Sequence, residues 1–164
     1  MNNIIKQWIE QLQLQPHPEG GFYKEIITGQ QASADSRNAY SSIYFLLTHD
    51  NISHFHRIDA DEIWYHHAGQ TLLIHMIYPS GTYECIRLGK DVAKGEVLQY
   101  VVPKGTIFAS SLAEDTGYAL VGCMCQPGFD FNHFELFSTQ QLNQLYPHLQ
   151  QINERYALSV NDKN

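Results

Sequence analysis

The sequence predicts an all-β fold, two antiparallel sheets closed on each other, with short helices at both ends. Three observations carry this. Between about residues 40 and 137 the chain runs through nine short segments rich in aromatic and β-branched residues, each set off by a turn signal. Helical periodicity is confined to the ends, so no alternation of strand and helix supports a parallel, crossover-connected sheet. The 164 residues, 43% apolar and 16% charged, suffice for one hydrophobic core and are far from a disordered composition.

The elements follow in order. Ile4, Ile5, Trp8, Ile9 and Leu12 repeat at helical spacing, which predicts a helix over 3–13 that Pro16 and Pro18 end. HPEGG at 17–21 reads as a turn, its paired glycines supplying backbone that side chains would block. FYKEIIT after it reads as a first strand, and the polar stretch 30–38 as a loop. The strand runs are then YSSIYFLL, SHFHRI, EIWYHHA, TLLIHMIY, TYECIRL, EVLQYVV, TIFASS, YALVGCMC and FNHFELF. Ser138 and Gln141 have the spacing of a capping box, which opens a helix over 139–146 before Pro147. A second short helix follows to about Tyr156, and the last residues, SVNDKN, read as frayed. With no repeat or linker, the expectation is one domain over 1–164, its barrel spanning about 20–137.

Composition removes several function classes. The formal net charge is −7 and the basic residues are scattered, so no nucleic-acid partner is expected. No apolar run is long enough to cross a bilayer, and the first residues lack a secretory leader, which points to the cytoplasm. Cys85, Cys123 and Cys125 form no CxxC pair and read as reduced thiols, the last two on one strand face.

Five of the nine histidines lie between 49 and 67. In HFHRIDADEIWYHHAG, 54–69, His54 and His56 are two apart on a strand, so both rings are expected to face the same way. A turn at 59–61 reverses the chain, and Glu62, Trp64 and His66 alternate on the next strand. A hairpin of this form brings two imidazoles and a carboxylate onto one surface. Those groups suit a facial metal site, or an acid–base site in which a carboxylate tunes a histidine.

HxH followed by Glu62, six residues and Gly69 resembles the first cupin motif, and GEVLQYVVPKGTIFA at 95–109 resembles the second. The resemblance is closest to the cupin-5 family, on HPEGGFYKE at 17–25, SSIYFLL at 41–47, S-x-x-HR at 53–57 and DEIW at 61–64. It continues through GEVLQYVVPKGT at 95–106, LVGCMCQPGFDFNHFEL at 120–136 and the Tyr146-Pro147 helix end. It implies a jelly-roll barrel (a double-stranded β-helix) that pairs as a homodimer, similar to sugar-nucleotide epimerase barrels. Two departures stand out. Five residues separate His56 from Glu62, one more than the motif usually has, and Phe108 stands where the second motif supplies a histidine ligand.

Three functions stay open. One is a metal-independent epimerase or isomerase of a sugar-like molecule, with His56 as base, Glu62 tuning it and Arg57 or His54 steadying an anionic intermediate. Its pocket would be formed by His54, Trp64, His66, His75, Gln99, Phe108 and Tyr44. A second is a metal-dependent dioxygenase or isomerase, with a divalent metal on His54, His56 and Glu62, with or without His75. A third is a module that binds a small molecule without turnover. His75, flanked by apolar residues, also reads as a satisfied core histidine, and Arg57 as one half of an ion pair.

Overall fold

The computed structural model describes residues 2–30 and 37–159. Most of the expected 30–38 loop and the end of SVNDKN therefore lie outside the described residues. Helix α1 (Asn3–Leu12) comes first, its N-terminus capped by the Asn2 side chain. The strands are β1 (Gln15–Pro16), β2 (Phe22–Thr28), β3 (Ser41–Thr48), β4 (Ser53–Ile58), β5 (Asp61–Gly69) and β6 (Leu72–Ile77). They continue as β7 (Tyr83–Leu88), β8 (Gln99–Val102), β9 (Ile107–Leu112), β10 (Tyr118–Gln126) and β11 (Phe134–Leu136), followed by α2 (Thr139–Leu145) and α3 (Gln150–Tyr156). The capping box at Ser138 and Gln141 forms as the spacing requires.

The strands make two antiparallel sheets, ordered β1-β2-β3-β10-β5-β8 and β11-β4-β9-β6-β7. Their inner faces enclose one core, in which Phe45, Leu47, Trp64 and Val121 meet Ile58, Leu72, Ile74, Met76 and Phe108. This is the expected all-β jelly-roll barrel.

The helices cover the outer faces. The apolar stripe of α1 packs on the six-stranded sheet, where Ile5 and Leu14 join Leu46 and Leu120, and Trp8 donates its indole N–H to the Tyr118 hydroxyl at 3.1 Å. Helices α2 and α3 cover the five-stranded sheet, where Leu142 and Tyr156 pack on Phe55, Ile77 and Ile107. The central strands thus bury both faces, which explains the near-continuous apolar runs in β6 and β10.

One irregularity places the site. Ser53 pairs with Ser110 and His56 with Phe108, so three steps along β4 match two along β9. This bulge puts Ser53 and His56 on the same inner face and breaks the regular alternation that would have put His54 there.

Candidate functional site

A cavity of about 260 Å³ opens between the sheets. Strand register builds one wall. On β5, Glu62 faces Cys125 and Trp64 faces Cys123 on β10; Cys123 in turn faces Ile43 on β3, and Ile43 faces Glu25 on β2. With Tyr23 and Phe45 these side chains form a single inner row. The opposite wall carries His56 and Ser53 from β4, and Phe129 and Phe131 come from the segment after β10.

The 17–21 turn supplies the remaining wall, His17 and Glu19. The Glu19 N–H donates to His17 Nδ1 at 3.1 Å, and Gly20 N–H to the His17 carbonyl at 3.1 Å. Gly20 has φ +110°, and a Cβ there would lie 2.2 Å from the Ile52 carbonyl oxygen, so the turn closes only with glycine. The Glu19 carboxyl, 4% exposed, reaches His56 Nδ1 at 3.1 Å.

Hydrogen bonding fixes the state of His56. Its Nδ1 also lies 2.7 Å from the His54 carbonyl, which can only accept, so Nδ1 carries the proton and the lone pair is on Nε2. Burial pushes the imidazole down to about 4, and the ring packs against Phe108 at 4.1 Å. Burial also pushes Glu19 up to about 8, helped by the nearby charge of Glu62. Glu62 rises by burial to about 7, opposed by a hydrogen bond with the Cys123 thiol. The Cys123 thiol itself is raised well above its ordinary value by burial, so it is a thiol, not a thiolate. Two carboxyls poised near neutrality thus face one cavity beside a neutral imidazole. Such perturbation by desolvation marks candidate acid–base groups.

His56, Glu62 and Trp64 are the expected residues that the cavity gathers. Phe108 stands immediately behind His56 and edge-on to Trp64 at 6.3 Å. The others lie elsewhere. His54, turned aside by the bulge, has its Nδ1 3.0 Å from the Glu19 carbonyl and holds the turn from outside. Arg57 bridges Glu135 on the surface with its Nε 2.7 Å from the carboxylate, and lies over the Phe137 ring. Tyr44 faces α1 on the outer side of its sheet. His66 is buried inside the barrel but binds the Gln70 carbonyl at 2.8 Å and does not line the cavity. Gln99 sits exposed on the edge strand β8. His75 lies under α3, its nitrogens paired with Tyr83 at 2.7 Å and Ser111 at 2.9 Å, its ring stacked on Tyr156. It is a satisfied core histidine.

The metal centre suggested by HxH and Glu62 does not fit these residues. His54 points at backbone outside the cavity, and the Phe108 ring occupies the fourth ligand's place. Among the described residues no three His, Cys, Asp or Glu side chains gather closely enough to hold an ion. What the sequence reading did not include was the 17–21 turn as a wall of the site. The signal was present: an acidic residue directly before two glycines, in a segment that carries the family resemblance.

The family profile described as "Cupin superfamily (DUF985)" matches residues 6–137. The chain belongs to that family. This cupin is 32% identical to an uncharacterized protein of Saccharomyces cerevisiae, over 86% of this chain and 79% of the relative. The crystal structure of a Shewanella oneidensis protein is 46% identical, with a TM-score of 0.91 and 97% and 99% of the two chains covered. An oxalate decarboxylase from Bacillus subtilis shares the fold at 16% identity and a TM-score of 0.57, with 88% of this cupin covering 35% of that chain.

Two expected outcomes arise from these positions. Arg57→Ala costs under about 1 kcal/mol in a urea titration, because its partner Glu135 is mostly exposed. It leaves ligand binding unchanged; a loss of binding would place Arg57 in the site. The second concerns pH. Glu19 and Glu62 keep protons in the fold that the unfolded chain loses near 4.5, so rising pH destabilises the fold until they ionise near 8 and 7. His17, His56 and His75 act oppositely, since the unfolded chain takes protons below about 6.5 and the fold only near 4. Stability should therefore peak near pH 6.5 and fall above it by up to about 1.4 kcal/mol per pH unit for each carboxyl still protonated. Urea titrations between pH 5 and 9 measure this, and Glu19→Gln flattens the alkaline limb.

Proposed function

We propose that this cupin binds a small polar metabolite in the cavity and isomerises it by proton transfer, as an epimerase or isomerase of a sugar-like carbonyl compound would. The observation that carries this reading is the convergence of Glu19, Glu62 and His56 on one cavity. A volume of about 260 Å³ falls just below the roughly 300–1,000 Å³ of drug-sized ligand sites, which suits a metabolite of few atoms.

The chemistry divides between the carboxyls. Glu62, the more acidic, takes a proton as carboxylate from the carbon beside a substrate carbonyl. Glu19, the less acidic, gives its proton to the carbonyl oxygen, and an enediol forms. Return of a proton to carbon from either face, with loss of the hydroxyl proton to Glu19, yields the starting compound or its isomer. A pair of like groups driven to different acidities suits such a division. Neutral His56, a weak base near 4, holds the Glu19 carboxyl in place through Nδ1.

Nuclear magnetic resonance in D₂O tests this directly. Protein is incubated with a panel of small aldoses, ketoses and amino sugars, and loss of the signal from the proton beside the carbonyl is followed. Exchange that the wild type catalyses and Glu62→Gln does not is the expected result. Saturable binding with no exchange from any member of the panel would leave a binding module in place of an enzyme.

A homodimer belongs to the same proposal. Among the described residues edge strand β8 has no strand on its far side, and Val101 on it and Val97 and Leu98 just before it are exposed, so a second copy would cover this edge. Light scattering at twice the monomer mass is the expected reading.

A further inference from the structure

The cavity has a charge pattern that the proposed chemistry does not by itself require. Glu19 and Glu62 are buried in its wall, and Glu25 stands at an exposed position on the same inner row. Among the described residues no lysine or arginine lines it. Arg37 is committed to Asp59 by a bidentate pair at 2.7 Å. The remaining titratable groups facing the carboxyls are His17, Tyr23, His56, Cys123 and Cys125. A phenol and thiols cannot be cationic, and burial holds both imidazoles neutral. Burying acidic groups without a counter-charge is costly, and structural carboxylates in cores are ordinarily paired.

The rest of the wall is aromatic: Tyr23, Phe45, Trp64, Phe129 and Phe131. Phe45 and Trp64 meet edge to face at 6.2 Å, as do Phe129 and Phe131 at 4.7 Å. The buried indole N–H of Trp64 has no hydrogen-bond partner among the described residues. Aromatic faces attract ammonium groups and reject hydrated anions. They also make a poor shell for a hard metal ion, which asks for six or more oxygen ligands.

We infer that the ligand of this cavity is a small organic cation, a protonated or quaternary amine carrying a hydroxyl or carbonyl, held by aromatic faces and by acidic side chains that no lysine or arginine offsets. The inference rests on the small-metabolite reading above and narrows it. A phosphorylated or carboxylated substrate finds no lysine or arginine in the lining among the described residues. Binding such a cation favours the ionised form of Glu62, the more acidic carboxyl, while Glu19 keeps its proton, so uptake at pH 7 releases protons from Glu62.

Three molecules of nearly one shape separate the possibilities: choline, its uncharged carbon isostere 3,3-dimethylbutan-1-ol, and the anion 3,3-dimethylbutyrate. Isothermal titration of the full chain at pH 7 is expected to show choline binding at least tenfold more tightly than the alcohol, and the anion not at all. Titration in buffers of different ionisation enthalpy should show proton release on choline binding, up to about half a proton per choline at pH 7. Glu25→Gln, at an exposed position where folding is safe, should weaken choline severalfold and leave the alcohol unchanged. Equal affinity for choline and the alcohol, tighter binding of the anion, or choline binding without proton release overturns the inference. If glucose, an uncharged polyol, saturates the cavity while choline does not, the small-metabolite reading stands and the cation inference falls. If neither any of these probes nor the sugar panel binds, both fall.

Discussion

Glu62→Gln lowers the rate of proton exchange by about a hundred- to ten-thousand-fold, the range a positioned general base contributes. The substitution keeps the size of the side chain and an oxygen to accept from the Cys123 thiol, so the cavity wall keeps its shape. It also removes the cost of holding a carboxylate out of water. The variant should therefore gain stability above pH 7 as it loses activity. That opposite movement separates a functional carboxyl from a structural one: a residue kept for packing would lose stability on replacement and gain nothing at alkaline pH. Exchange rates by nuclear magnetic resonance and urea titrations at pH 8 on the same preparation give both numbers. Activity near the wild-type level in Glu62→Gln would move the base to another residue.

Phe108→Ala costs about 3–5 kcal/mol, the range for truncating a buried aromatic side chain. Phe108 is 1% exposed, pairs with His56 across β4 and β9, and faces Met76 on β6. Its loss empties the space behind the imidazole, and the ring at 4.1 Å no longer fixes the tilt of His56. Two effects should appear together, a lower midpoint in urea and weaker ligand binding, although Phe108 itself does not line the cavity. Phe108→Leu, which refills most of that space, should recover most of the stability. A loss below about 1 kcal/mol in Phe108→Ala would mean the barrel collapses readily into the gap.

The barrel was legible because its determinants are local. Turn residues at short spacing and aromatic or β-branched runs between them fix where strands begin and end, and the capping box at Ser138 fixes the start of α2. Half of the site was legible for the same reason: Glu62 and Trp64 lie on β5, whose alternation is regular where they stand. The rest depended on events that alternation does not encode. A bulge in β4 keeps Ser53 and His56 inside and turns His54 away. His75 shows no outward sign in the sequence that Tyr83, Ser111 and Tyr156 will satisfy it from two other strands and a distant helix. Glu19 is separated from His56 by 37 positions, and only the folded turn, locked by Gly20, brings their side chains together.

The irregular step in β4 carries one further consequence. Because three residues there span the distance of two, the strand holds a spare position. Deleting His54 would let β4 run straight, with Ser53 and His56 still turned inward and Phe55 still turned outward toward Tyr156. Such a shortened chain would keep its barrel and its imidazole, yet lose the strut that His54 extends to the Glu19 backbone. The acidic turn would then be free to drift from its partner, so the surplus residue works as a brace for a neighbour 35 places upstream.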